Sequence, residues 1–188
     1  MKITAVRHGE TEENVGRIVQ GHLPGRLTDE GKQQATRLAD ELKNVVFDRI
    51  YCSDLQRCRD TAFYIQKESP HLPIDFTPAL REISFGSFQG QPASNIDWDA
   101  VPGNFYTRKP GGGESMLEFN KRVLDFVNEL YNKYPDSDFL FITHGGPMRM
   151  LKSAIDDESL EELFQKTIEN TALWKFQVKN DLKLVRDQ

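Results

Sequence analysis

Residues 139–146 read FLFITHGG, four apolar residues that lead through a threonine into a histidine and two glycines. An unbroken apolar run of this length is typical of a strand covered on both faces, as in a parallel sheet between two layers of helices. Around it, strand-like segments alternate with helical patterns along the chain, which favours the α/β class. We therefore predict a three-layer αβα sandwich with a mostly parallel central sheet.

Further strands are predicted on both sides of this run, over residues 2–6 and 47–52, with a short one within residues 71–76. Residues 174–178 alternate between apolar and polar side chains, which predicts a half-exposed strand. Residues 180–181 then predict a turn into a final short strand.

Helix starts are marked by capping residues. Thr28 is a predicted N-cap, and residues 53–56 (SDLQ) and 115–118 (SMLE) both match the capping-box pattern. Pro135 is expected to end the helix that begins at the second box, and Pro147 suits the first turn of the helix after the apolar run.

Residues 83–113 differ from the rest of the chain, because they are rich in Gly, Pro and aromatic residues and have no long periodicity. A segment of this length without regular structure is either a lid over a binding site or a surface insertion. We expect its aromatic residues to pack the segment down. Arg108 and Lys109 near its end are candidates for binding a second anionic group of a substrate, with plain surface charge as the alternative.

Composition limits the broad class of the protein. The 188 residues suffice for one hydrophobic core, so a single domain over residues 1–188 is expected. No apolar run approaches the ~20 residues that cross a bilayer, and the first residues lead into a strand rather than a signal peptide. The net charge of −5 disfavours nucleic acid and anionic membranes as partners. Cys52 and Cys58 are expected to be reduced thiols in a cytoplasmic protein.

Reactive side chains follow three of the predicted strands. Arg7 and His8 come directly after the first strand, Arg57 lies in the first turn after the second, and His144 follows the apolar run. In open parallel sheets, ligands bind beyond the carboxyl ends of the strands. We therefore expect two arginines and two histidines to meet at one edge of the sheet.

This combination of side chains suits phosphate chemistry. Guanidinium groups bind phosphate oxygens and stay charged, so Arg7, Arg57 and a nearby His144 would compensate negative charge. An imidazole such as that of His8 can attack phosphorus and carry the group. The departing alkoxide needs a proton, and Glu82 at the start of the irregular segment is the candidate acid. A zinc site on the two histidines is disfavoured, because the arginines would repel the cation.

The order of these motifs resembles that of the histidine phosphatase superfamily. The matching motifs, with their residue numbers, are Arg7-His8-Gly9-Glu10-Thr11 with Asn14, Gln20-Gly21, Leu27-Thr28 with Gly31, Ser53-Asp54-Leu55-Gln56-Arg57, Leu80-Arg81-Glu82, Gly113-Glu114-Ser115 and His144-Gly145-Gly146. They occur in order from residue 2 to about residue 150, and together they are highly specific.

The resemblance implies an αβα sandwich, a phosphohistidine intermediate, and neither a metal nor another cofactor. It assigns the nucleophile to His8, the proton donor to Glu82, and the phosphate pocket to Arg7, Arg57 and His144. Residues that the resemblance also places near the phosphate are Asn14, Gln20, Gly21 and Gly145. His22 and His71 are expected to be exposed. Residues 25–26 depart from the family pattern, which often has an aspartate and a proline there.

Within this family the chain resembles the compact phosphatases rather than the mutases. The mutases carry a longer basic insertion after the motif that contains Glu82, whereas about thirty residues separate Glu82 from Gly113 here. We therefore expect hydrolysis of small phosphorylated metabolites such as sugar phosphates. A cofactor-dependent phosphoglycerate mutase is the alternative, and an inactive protein that binds phosphorylated ligands is a second one. A homodimer is compatible with the sequence.

Overall fold

A computed structural model describes residues 1–183 of the chain, which form one five-stranded sheet flanked by helices. The strands are β1 (Lys2–Arg7), β2 (Arg49–Ser53), β3 (Ile74–Thr77), β4 (Asp138–Thr143) and β5 (Leu173–Gln177). The α-helices are α1 (Glu12–Val15), α2 (Asp29–Leu42), α3 (Gln56–Glu68), α4 (Met116–Lys133), α5 (Gly145–Asp156) and α6 (Leu160–Gln165). None of the helices in this part of the chain is long and apolar enough to cross a membrane.

The sheet is mostly parallel, as predicted. Its strand order is β3-β2-β4-β1-β5, and only β5 runs antiparallel among these five strands of the described chain. The short third strand lies at Ile74–Thr77, so it begins within the predicted range and ends one residue beyond it. The predicted final strand is absent from residues 178–183, and its remainder lies outside the described residues.

Helices cover both faces of the sheet, which confirms the three-layer sandwich. The buried side chains of Phe139 and Phe141 join a core formed with α4 and α5, whereas those of Leu140 and Ile142 join a second core formed with α2 and α3. Successive strand residues point to opposite faces, so an unbroken apolar run supplies both cores. Each such side chain contributes about 1.5–3 kcal/mol through burial.

Two of the three predicted helix caps are present. The hydroxyls of Thr28 and Ser115 accept N–H bonds from the first turns of α2 and α4. The capping box predicted at residues 53–56 is wrong, because α3 has no side-chain cap and the Ser53 hydroxyl contacts His144 instead. This departure from local capping brings the hydroxyl into the site described below.

Residues 83–113 contain neither α-helix nor strand, as their composition predicts. The segment folds into short 3-10 helices at Gly86–Phe88, Ala93–Asn95 and Pro110–Gly112. Trp98 packs edge-on against Phe85, with ring centroids 5.7 Å apart, so the aromatic residues hold the segment down as expected. The packed segment forms one wall of the cleft at the carboxyl ends of the strands.

Candidate active site

The parallel pairing of β1 with β4 brings His8 and His144 together. Arg7 lies opposite Thr143 in the strand register, and the His8 N–H donates to the Thr143 carbonyl at 3.0 Å. The two imidazole rings follow directly, with centroids 5.1 Å apart. Arg57 from the first turn of α3 completes the group, so the predicted convergence at one edge of the sheet is present.

The contacts of His8 define which ring nitrogen is available for chemistry. The Nδ1 atom lies 2.8 Å from the Gly9 carbonyl oxygen, which only accepts, so Nδ1 carries the proton. The lone pair is therefore on Nε2, 3.2 Å from Nε of Arg57. Behind the ring, the Asn170 amide donates to the His8 carbonyl at 3.0 Å and fixes the backbone. The geometry presents Nε2 as a nucleophile.

Burial keeps this imidazole neutral. Only 3% of His8 is exposed, and desolvation lowers its pKa well below 6.5, with the positive charges of Arg57 and Arg7 adding to the effect. At neutral pH the Nε2 lone pair is therefore free of a proton.

Arg57 is held almost entirely inside the protein, at 1% exposure. Its Nη2 donates to the Gly21 carbonyl at 2.8 Å, and its Nη1 donates to the Leu23 carbonyl. Gly21 has a φ of +49°, a left-handed conformation that favours glycine and turns its carbonyl toward the guanidinium. The loop from Gly21 to Gly25 thus acts as a backbone clamp on Arg57.

His144 is fully buried behind this arginine. Its Nδ1 lies 3.2 Å from Nε of Arg57, and its Nε2 lies 2.8 Å from the Ser53 hydroxyl and 3.4 Å from Sγ of Cys58. Burial, followed by the charge of Arg57, lowers the pKa of His144 well below 6.5. The side chain does not reach the cleft surface, so its contact with the cleft passes through Arg57 and His8.

The Glu82 carboxyl group lines the same cleft as His8. Its Oε2 accepts the Gly146 N–H at 3.1 Å, and its Oε1 accepts the N–H of Ile83 at 3.0 Å. Gly146 leaves room for this approach, because a methyl group there would collide with Oε1 of Glu82 and with the Phe119 ring. The carboxyl group is therefore positioned by the first turn of α5.

These groups border a cleft of about 300 Å³. The residues that line it are Arg7, His8, Asn14, Ile18, Val19, Gln20, Gly21, Arg57, Glu82, Ile83, Phe85, Trp98, Gly146, Arg149 and Phe164. Seven of the predicted site residues are in this lining. His144 is buried beneath it, and Gly145 borders an adjoining recess instead.

Asn14 and Gln20 both line the cleft. The Asn14 carbonyl oxygen accepts from the backbone N–H of Thr11 at 3.1 Å and from the Asn170 amide at 3.2 Å, which leaves its NH₂ group toward the cleft. The Oε1 atom of Gln20 is buried without a hydrogen-bond partner among residues 1–183. Both amides are therefore available to a ligand.

Sequence reasoning missed three polar residues of the site, Arg149, Asn170 and the hydroxyl of Ser53. Arg149 follows Gly145 by four residues, and that spacing would have placed both on one face of a helix. No sequence signal marks Asn170. His22 is half-buried rather than exposed, because its Nε2 lies 2.9 Å from the Glu82 carbonyl oxygen. His71 is exposed as predicted.

No group of three or more His, Cys, Asp or Glu side chains suited to a metal ion occurs within residues 1–183. The site instead gathers arginines and a neutral imidazole at the carboxyl edge of a parallel sheet, an arrangement that fits an enzyme of phosphoryl transfer. The model of the histidine phosphatase superfamily (branch 1) matches residues 3–187. The chain belongs to this family, as the motifs predict.

Two of three proteins similar to this chain are phosphatases by name. The chain is 37% identical over 158 residues to phosphoglycerate mutase-like protein 4 of Arabidopsis thaliana, covering 80% of this chain and 69% of that protein. It is 31% identical over 192 residues to the adenosylcobalamin/alpha-ribazole phosphatase of Salmonella typhimurium, covering 95% and 86%. A mycobacterial glucosyl-3-phosphoglycerate phosphatase superposes with a TM-score of 0.79 at 29% identity, over 93% of this chain and 88% of that one.

Proposed function

We propose that the protein hydrolyses phosphomonoesters of small metabolites through a phosphohistidine formed on Nε2 of His8. The observation that carries the proposal is the tautomer of this ring: Nδ1 is bound to the Gly9 carbonyl oxygen, so the Nε2 lone pair faces Arg57 and the cleft. Family membership and the phosphatases among the relatives support hydrolysis as the reaction. The modest volume of the cleft suits a small substrate.

In the first step, the phosphoryl group is bound between Arg7 and Arg57. Nε2 of His8 forms a bond to phosphorus as the bond from phosphorus to the ester oxygen breaks. The protonated Glu82 carboxyl group donates its proton to the departing oxygen, which leaves as an alcohol. The charge that develops on the phosphoryl oxygens is compensated by the two arginines and by N–H groups at the start of α5.

In the second step, a water molecule attacks phosphorus and the bond to Nε2 of His8 breaks. Glu82, now a carboxylate, takes a proton from this water. The products are inorganic phosphate, a neutral His8 and a protonated Glu82, so the enzyme returns to its starting state.

The remaining predicted site residues have supporting roles in this proposal. His144 holds the Nε of Arg57 through its Nδ1. The amides of Asn14 and Gln20 bind the phosphoryl oxygens or the alcohol, and Gly21 acts through its carbonyl on Arg57. Gly145 brings its backbone N–H to the edge of the site.

We further propose that residues 1–188 act as a single domain in the cytoplasm. Cys52 and Cys58 are free and buried, and burial raises the pKa of the Cys58 thiol to about 12, so both are inert reduced thiols. The net charge of −5 favours small anions drawn to a local basic site over nucleic acid.

The test is capture of the covalent intermediate. The enzyme is mixed with p-nitrophenyl ³²P-phosphate in the presence of a chelator and quenched in alkali, where phosphohistidine survives. We expect labelled protein and steady release of phosphate. His8→Ala should remove the label and lower kcat roughly 10⁴-fold or more, whereas the matched variant His71→Ala, at an exposed histidine, should keep both.

Two results would overturn the proposal. Label that persists in His8→Ala would place the covalent step on another residue. Isomerisation of 3-phosphoglycerate that depends on its bisphosphate primer, without release of phosphate, would identify a mutase instead.

A further inference from the structure

A second recess adjoins the cleft and shares four of its lining residues. It measures about 270 Å³ and is bordered by Gly145 and by the chain from Gln165 to Ile168. It shares Arg7, Glu82, Arg149 and Phe164 with the cleft, whereas His8 and Arg57 do not border it. Because Glu82 is the proposed proton donor to the leaving group, the recess begins beside the acid and not beside the nucleophile.

Arg149 stands at the junction of the two cavities and is fixed there. Its Nε donates to the Leu163 carbonyl at 2.8 Å, its Nη2 donates to the Lys166 carbonyl at 2.6 Å, and its guanidinium lies 5.1 Å from the centre of the Phe164 ring. Two backbone acceptors and one aromatic face set the plane of the group before any ligand arrives.

The third nitrogen of this guanidinium is free for a ligand. Nη1 of Arg149 has no hydrogen-bond partner within residues 1–183, and a methyl group on Gly145 would lie 2.7 Å from it. Several other arginines of the described chain form an ion pair with a carboxylate. Arg81, for example, pairs with Asp54, and Arg122 pairs with Glu114. Arg149 forms no such ion pair there, and neither do Arg7 and Arg57.

The balance of charge in the cleft indicates which kind of ligand group the Arg149 guanidinium binds. Arg7, Arg57 and Arg149 place three positive charges around the cleft. A bound phosphomonoester carries about −1.5 to −2 at neutral pH. The charges of Arg7 and Arg57 match this group, which leaves the charge of Arg149 without a counterpart in the phosphoryl group.

We propose, resting on the function proposed above, that Arg149 binds a second anionic group of the substrate, so that the preferred substrates are phosphomonoesters whose alcohol carries a carboxylate. Nη1 of Arg149 and the Glu82 carboxyl lie beside Gly145 and Gly146, neighbouring residues at the start of α5. The carboxylate and the ester oxygen are therefore separated by only a few covalent bonds. This makes Arg149 a specificity residue, and Arg108, which borders a neighbouring recess with Trp98 and Phe105, is the alternative that the test below distinguishes.

The test compares two pairs of substrates that differ at the carboxylate. The pairs are 3-phosphoglycerate with glycerol 3-phosphate, and O-phosphoserine with O-phosphoethanolamine. In each pair we expect kcat/KM to be about 10- to 100-fold higher for the substrate that carries the carboxylate. This is the range that the free energy of one charge-assisted hydrogen bond predicts. Arg149→Gln should bring the ratio of the two kcat/KM values to within about 3-fold of one, mainly because kcat/KM falls for the substrate that carries the carboxylate. Arg149→Lys should retain part of the preference.

Controls separate this loss from unfolding and from a change in net charge. Arg37→Gln removes an exposed arginine that is paired with Glu30 at 2.6 Å, and it should leave the ratio unchanged. Should Arg149→Gln fail to fold, Gly145→Ala offers a second route, because the added methyl would lie 2.7 Å from Nη1 and so displaces the planar guanidinium without removing its charge.

The outcomes are distinct from failure of the proposed function. Equal kcat/KM within both pairs in the parent protein, with phosphate released throughout, would overturn the second-anion site and leave the phosphatase intact. A ratio that survives Arg149→Gln and collapses in Arg108→Gln would move the site to the 83–113 segment and also overturn the inference. Absence of phosphate release from every substrate would instead count against the proposed function.

Discussion

Nε of Arg57 lies 3.2 Å from Nε2 of His8, and this one N–H group also lies 3.2 Å from Nδ1 of His144. Both ring nitrogens are therefore acceptors, which agrees with a proton on Nδ1 of His8 and on Nε2 of His144. The arginine thus selects the tautomer of both histidines and at the same time provides a positive charge at the attacking nitrogen. Its remaining nitrogens are tied to the Gly21 and Leu23 carbonyls.

We expect Arg57→Lys to lower kcat/KM for p-nitrophenyl phosphate by about 10²- to 10³-fold, although the charge is conserved. A lysine amine cannot bond two imidazoles and two carbonyls from one point. The buried acceptors left without a donor would also lower the free energy of unfolding by about 1–3 kcal/mol. Steady-state kinetics and urea unfolding measure the two effects.

Arg59→Lys on the same helix is the matched control. Arg59 is exposed, stacks over the Phe76 ring at 4.0 Å and lies outside the cleft lining, so its exchange should leave the kinetics unchanged. Full activity in Arg57→Lys would mean that charge alone suffices and that the tautomer contacts are incidental.

The parts of the site that were predicted from sequence depend on backbone topology. The apolar residues 139–142 and the alternation of strands with helices are sufficient to place His8, Arg57 and His144 at one edge of a parallel sheet. Their chemistry then follows from residue type. These inferences need only the spacing of apolar residues along the chain and the rule that ligands bind beyond the carboxyl ends of parallel strands.

The parts that were missed depend on packing between distant segments. Ser53 has the sequence of a helix cap, but its hydroxyl contacts His144, 91 residues away. His22 was expected in solvent, yet the fold places it against the Glu82 carbonyl. The spacing of Arg149 from Gly145 indicates only the face of the helix, whereas its orientation is set by two carbonyls near α6. Local sequence patterns do not encode such contacts.

Stability in mild acid should depend on the two buried histidines. The folded-state pKa values of His8 and His144 lie well below 6.5, so below that pH the unfolded chain binds protons that the folded protein does not. Their stabilising contribution is complete above pH 6.5 and is lost as the pH falls below it. We expect the free energy of unfolding, measured in urea from pH 7.5 to pH 5, to fall by up to about 1.4 kcal/mol per pH unit for each histidine.

Variants separate this effect from other titrations. His8→Asn should remove about half of the slope, and His71→Gln, at an exposed position, should leave it unchanged. Ion-paired carboxylates such as Glu114 have lowered pKa values and lose their contribution only below about pH 4.5, outside this window. A flat profile between pH 7.5 and pH 5 would mean that both imidazoles titrate in the folded protein as they do in the unfolded chain, so that burial does not lower their pKa values.

Replacement of Glu82 should act on the leaving group and not on phosphate binding. Its carboxyl oxygens accept the N–H groups of Gly146 and Ile83, so Glu82→Gln keeps the shape and one acceptor but has no acidic proton to give. Alkyl phosphates, whose alcohols depart poorly without a proton, should lose about 10²- to 10⁴-fold in kcat. For p-nitrophenyl phosphate the loss should stay below about 10-fold, since that phenolate departs without protonation.

A series of aryl and alkyl phosphates, measured with the parent protein and with Glu82→Gln, gives the slope of log kcat against the leaving-group pKa. The slope should steepen in Glu82→Gln, whereas parallel lines for the two proteins would show that another group supplies the proton.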